Sequence, residues 1–122
     1  MNYHEQNMLN HWYNERLYDN KDCVAPFFRG YTEEDMGKTT LGRTSFHYDT
    51  SKRRYGVIVL HPSLKKHRIL MEGVLWHEFC HAWEWSEDAT TGHGSAFKKR
   101  EKSNMRLYFY DILAKLACPF IR

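Results

Sequence analysis

Apolar positions recur at four-residue spacing in Met8/Leu9, Trp12/Tyr13 and Arg16/Leu17, which sets a packing stripe along a helix predicted to end near Tyr18. From Asp19 to Gly37 the pattern lapses into Asn, Asp, Pro and Gly around a Glu33-Glu34-Asp35 cluster, predicting a connecting segment anchored by Phe27 and Phe28. Leu41 to Tyr48 and Tyr55 to Leu60 are rich in β-branched and aromatic residues. Asp49-Thr50-Ser51-Lys52 between them supplies turn chemistry, so the pair predicts a β-hairpin. After His61-Pro62-Ser63 the period turns helical through Ile69/Leu70, Gly73/Val74, His77, Cys80/His81 and Glu84, to about Trp85. Ser86 to Gly94 is polar, and Ser95 is expected to cap a further helix. Its apolar residues Phe97, Met105, Tyr108, Ile112 and Leu116 run until Cys118-Pro119 stops it. The expected fold class is α+β: an N-terminal helix, a small antiparallel β-hairpin or sheet, then two helices.

Composition narrows the class. With 122 residues, 42% hydrophobic and 27% charged, the chain can bury one core, so residues 1–122 are expected to form a single domain. Its longest apolar stretches, Val57 to Leu60 and Leu107 to Tyr110, fall far short of the ~20 residues needed to cross a bilayer, so no membrane role is expected. The opening Met1-Asn2-Tyr3-His4-Glu5 lacks the basic and apolar blocks of a secretory signal, and a cytoplasmic location is expected. Cys23, Cys80 and Cys118 form no Cys-x-x-Cys pair and read as reduced thiols.

Charge is unevenly placed. Residues 1–35 hold three Lys/Arg against seven Asp/Glu, a net −4, so the remainder carries +7 of the overall +3. The cations gather in Lys52-Arg53-Arg54, Lys65-Lys66-His67-Arg68 and Lys98-Lys99-Arg100-Glu101-Lys102, patches that attract an anionic polymer or serve as solvated faces.

The chemistry concentrates in His77-Glu78-Phe79-Cys80-His81. A four-residue offset on a helix turns both imidazoles to one face, within reach of one metal ion, and Glu78, about 100° round the helix, can address a bound water. One zinc ion suits this set, because two or three histidines with an open position make a catalytic site in which the water's pKa falls toward ~7. Glu78 would take the proton and return it to the leaving amine. A third ligand must come from elsewhere. His93, in Gly92-His93-Gly94, follows a loop long enough to fold back, while Asp88, Glu87 and, less suitably, Glu84 compete for the role. Cys80 reads as core, and His4, His11, His47, His61 and His67 are unassigned.

Leu41-Gly42-Arg43-Thr44, the hairpin with Ile58-Val59-Leu60, His77-Glu78-Phe79-Cys80-His81-Ala82-Trp83 and Gly92-His93-Gly94-Ser95-Ala96-Phe97-Lys98 together resemble the SprT-like metallopeptidases, which include the Spartan proteases. The resemblance covers about Leu41 to Arg106. It implies a minimal zincin-like fold in which the last two helices carry the metal site, with His77, His81 and His93 as zinc ligands and Glu78 as catalytic acid/base. It also implies a protein substrate, and by likeness to Spartan one bound or cross-linked to DNA. Weak, sequence-independent DNA binding is then expected at Arg53, Arg54, Lys98, Lys99, Arg100 and Lys102. No Cys-x-x-Cys pair follows the catalytic region, so the zinc ribbon of longer relatives is missing from this sequence. The alternative from another class is a small nucleic-acid-binding module with a structural, non-catalytic zinc.

Overall fold

The computed structural model describes residues 3–34, 36 and 40–121, with side chains to Cys118. Helix α1 (Tyr3–Leu17) leads into strand β1 (Phe27–Tyr31), the hairpin β2 (Gly42–Tyr48) and β3 (Arg54–Leu60), and a short 3-10 turn at Pro62–Lys66. Three helices follow: α2 (Arg68–Asp88), α3 (Ser95–Lys102) and α4 (Met105–Ile121). The α+β expectation holds. The expected hairpin forms, with Gly42 opposite Leu60 and Tyr48 opposite Arg54.

The sheet order is β1-β3-β2, and β1 runs parallel to β3, so the sheet is mixed rather than purely antiparallel. The segment expected to connect therefore supplies a strand. Its five residues alternate exposed and buried only through Phe28 and Gly30, too short a period to show in the sequence. Phe28 is the anchor, 3% exposed, whereas Phe27 on the opposite face of the strand is 54% exposed. The far end of that segment, at Asp35 and Gly37, lies outside the described residues.

Helix α2 packs against the sheet and against α4. Its approach to α4 is set by Gly73, where a Cβ would run into the backbone of Tyr110 and Asp111. Trp12, Trp76 and Phe79 join α1 to α2 through ring contacts of 5.2 to 5.6 Å. No helix among the described residues is long and apolar enough to cross a membrane.

The single helix expected from Ser95 onward is two. Ser103 donates to the Arg100 carbonyl at 2.6 Å, and the Asn104 side chain accepts from Leu107 N at 3.2 Å, capping α4. Short polar side chains offer the backbone these alternatives and break the helix there. Ser95 does not cap α3: Gly94 occupies that place, without a side-chain bond, and Ser95 is the first helical residue. Of the apolar residues named along this stretch Met105 and Leu116 are exposed, while Leu107, Asp111 and Ala114 face the core. The expected stop at Cys118-Pro119 does not occur: helix α4 continues through Pro119 to Ile121.

Candidate metal centre

His77 and His81 stand one turn apart on α2, and the loop after α2 returns His93 to them. That loop begins at Ala89, in the left-handed region at φ 57°, and turns again at Gly92, φ 118°, a value that favours glycine. The ring centroids of His93 lie 5.5 Å from His77 and 4.6 Å from His81. One nitrogen from each of the three can be chosen so that all lie within 4.8 Å of one another. Phe97, fully buried on α3, contacts all three rings and stacks on His81 at 4.3 Å.

His77 is oriented from behind. Its Nδ1 lies 2.8 Å from Glu101 Oε2 and 3.3 Å from Asp111 Oδ2, which leaves Nε2 as the nitrogen for a metal. Burial works against a charge on this ring, but the bonds to Asp111 and Glu101 outweigh it and push His77 up to about 9. Carboxylates so placed also fix the ring's orientation and strengthen it as a ligand. Burial acts on Asp111 in the opposite sense, yet its bond to His77 and the Lys115 ammonium at 2.8 Å hold the carboxyl below the usual range.

Burial, with His77 and His93 nearby, pulls His81 down to about 3, and burial likewise lowers His93, so both rings are neutral donors at pH 7. His81 Nδ1 is buried with no hydrogen-bond partner among the described residues, so packing against Phe97 holds this ring. Three imidazoles, one of them backed by carboxylates, fit a borderline-soft divalent ion such as zinc. A second grouping, His77 with Glu101 and Asp111, is equally compact, but Lys115 already neutralises it.

Glu78, 5% exposed, faces β2, where the Thr44 hydroxyl lies 2.8 Å from its Oε1 and 3.1 Å from its carbonyl oxygen. Burial pushes the Glu78 carboxyl up, partly offset by His77 and by the Thr44 bond. Gly42 makes this approach feasible, since a Cβ there would stand 3.0 Å from Glu78 Cγ and from side chains of Leu60 and Val74. A cleft of about 370 Å³ opens over the site, lined by β2 residues Gly42 to Thr44 and Phe46, with His77, Glu78, His81 and the Thr91–His93 loop. A smaller recess of about 140 Å³ adjoins it, between Leu41, Val74, Glu78 and Lys115.

A model of the SprT-like family matches residues 6–110. The chain belongs to the SprT-like family. No curated protein and no solved structure matches it significantly. In this SprT-like chain the matched stretch contains every residue of the centre except Asp111 and Lys115, which lie just beyond it on α4.

The other third-ligand candidates are engaged elsewhere. Arg100 on α3 binds Glu87 at 2.6 Å and Asp88 at 2.7 Å, with Glu84 at 4.0 Å. Cys80 is fully buried, and burial holds its thiol well above the ordinary range, as a core residue rather than a ligand. Thr44, Glu101, Asp111 and Lys115 join the site without any motif in the sequence assigning them a role. Asp111 carried a signal, being the only acidic residue after Glu101 and set inside an apolar run. Glu101 looked like one charge among five in a basic run.

Asp111→Asn is expected to weaken metal binding by roughly 10- to 100-fold, because the amide is a poorer acceptor for the His77 ring. Competition against a chromophoric chelator measures it. Unchanged affinity would mean that the carboxylate does not tune the ligand.

Proposed function

We propose that this chain is a zinc-dependent metallopeptidase hydrolysing peptide bonds in proteins. The observation that carries the reading is the convergence of His77, His81 and His93 within 4.8 Å beside the buried carboxylate of Glu78. The three histidines would hold one ion; when bound, zinc supplies a Lewis acid that polarises a carbonyl and acidifies a coordinated water.

The chain's own residues do the rest. Thr44 pins one carboxylate oxygen of Glu78, leaving the other to accept the proton of the attacking water and deliver it to the leaving nitrogen. The raised affinity of Glu78 for a proton brings it nearer the working range of a general base at neutral pH. Strand β2 is at the edge of the sheet and borders the cleft, so its outer backbone groups can pair with an extended substrate chain. Unfolded casein is expected to be cleaved by the zinc-loaded protein, with loss of activity on chelation and recovery on adding zinc back. No cleavage, together with no binding of a hydroxamate, would support the structural-zinc reading instead.

A DNA-associated substrate belongs to this proposal, on a reduced surface. Of the six cations expected to meet DNA, Arg54 is bonded to the carbonyls of Trp85 and Ser86, Arg53 to Asp49, and Arg100 to Glu87 and Asp88. Lys98, Lys99 and Lys102 remain exposed along α3, and phosphate contacts there would weaken steeply with salt. Anisotropy of a labelled single-stranded oligonucleotide should fall with salt and with Lys98→Glu/Lys99→Glu. Binding that ignores both would take DNA out of the account.

A further inference from the structure

Glu84, Glu87 and Asp88 put three carboxylates near the C-terminal end of α2, whose last turn holds no cation of its own. That end of a helix already carries the negative pole of its dipole, so acids there favour unwinding. Arg100 meets them from α3. Its Nη2 donates to Glu87 Oε1 at 2.6 Å and to Asp88 Oδ2 at 2.7 Å, and its Nη1 stands 4.0 Å from Glu84 Oε2. The guanidinium lies against Trp83, 5.3 Å from the ring centroid, and the residue is buried.

Between the two helices so joined runs the loop 89–94, which carries His93. Among the described residues no hydrogen bond holds Thr90, Thr91, Gly92 or His93 to the rest of the chain. All four are exposed, and nothing stands within 4 Å of where a Cβ would sit at Gly92 or Gly94. Apart from ring contacts with His77, His81 and Phe97, His93 is therefore placed by the two points from which its loop springs. The start of α3 belongs to a helix seated by other means, since Trp76 Nε1 donates to the Glu101 carbonyl at 2.9 Å and the Glu101 carboxylate bonds His77. On the other side Arg54 ties the carbonyls of Trp85 and Ser86 to the sheet, while Glu87 and Asp88, the last two residues of α2, are tied to α3 by Arg100.

We propose that Arg100 is a positioning residue for the metal centre: by tying the end of α2 to α3 it fixes the span of the loop and hence the place of His93. This rests on His93 as a zinc ligand and not on the peptidase activity. Without the tie, the carboxylates are left at the negative pole of α2, the last turn frays, and the loop gains length and freedom. A ligand in place for only a fraction of the time lowers the apparent affinity for the metal by that fraction.

The test is a cycle of four chains, native, Arg100→Gln, His93→Ala and the double variant, with zinc affinity read by chelator competition. Arg100→Gln should weaken binding about tenfold in the native background and less than about twofold in the His93→Ala background, where the residue it positions is already gone. Glu87→Ala/Asp88→Ala opens the same tie from its more exposed side and should show the same non-additivity; it carries the test if Arg100→Gln does not fold. Native affinity in these variants, beside a weakened His93→Ala, overturns the inference and leaves the ligand reading standing. A loss that persists undiminished in the His93→Ala background overturns it too, because Arg100 would then act on the fold as a whole. A native chain that binds no zinc, or a His93→Ala chain that binds it as the native does, removes the ligand reading and the inference together.

Discussion

Glu78→Gln is expected to bind zinc as the native chain does and to cleave peptide bonds about 10²- to 10⁴-fold more slowly. The amide is nearly isosteric, so the Thr44 hydroxyl can still bond its oxygen, and none of the three histidines loses a neighbour of similar size. What it cannot do is take a proton from the attacking water. The variant also removes a buried carboxyl whose desolvation had a cost, so the fold should be at least as stable. Initial rates on a fluorogenic protein substrate, normalised to bound zinc, read the effect. Near-native turnover in a fully zinc-loaded preparation would exclude Glu78 as the group that moves the proton.

The largest stability effect is expected at Gly73→Ala. A methyl group there meets the nitrogen of Asp111 and the carbonyl carbon of Tyr110, both backbone atoms, so no side-chain rotation relieves it. Helices α2 and α4 must separate, at a cost of about 3 kcal/mol or more, the upper end of overpacking penalties. For a domain of this size that lowers the unfolding midpoint by roughly 10 °C. Separation also draws Asp111 from His77, so zinc affinity should fall along with stability. A midpoint within a degree or two of native would show that the two helices are not in close contact at this glycine.

The centre was legible because its logic is local. His77, Glu78 and His81 lie within five residues, and the helical period alone sets their common orientation. The glycines around His93 permit the return of its loop to the helix, whereas the pairing of Asp88 and Glu87 with Arg100 leaves no mark in the sequence. The hairpin was legible from its turn and its β-branched residues. What escaped was non-local. Strand β1 exists because β3 offers it a parallel edge, and five residues carry too little pattern to announce that pairing. Glu101 and Asp111 act on His77 across 24 and 34 positions of sequence, a relation that only the packing of α3 and α4 against α2 creates. The break between α3 and α4 turns on two polar residues, Ser103 and Asn104, whose side chains bond the backbone there and which carry no apolar period to announce it. Charge was misread for a related reason, since a run of cations does not show that Arg100 is 9% exposed and bonded within the fold.

The proposed activity requires three histidines acting as one metal site, and His93 is the discriminating member because it sits on an exposed loop where its loss leaves the core intact. Zinc content by mass spectrometry, with affinity by chelator competition, should be measured on the native chain and on His93→Ala. The expected result is one zinc per native chain and an affinity at least about 100-fold weaker in the variant, since one of three protein ligands is gone. Equal affinity in His93→Ala, or a native chain that binds no zinc, would contradict it.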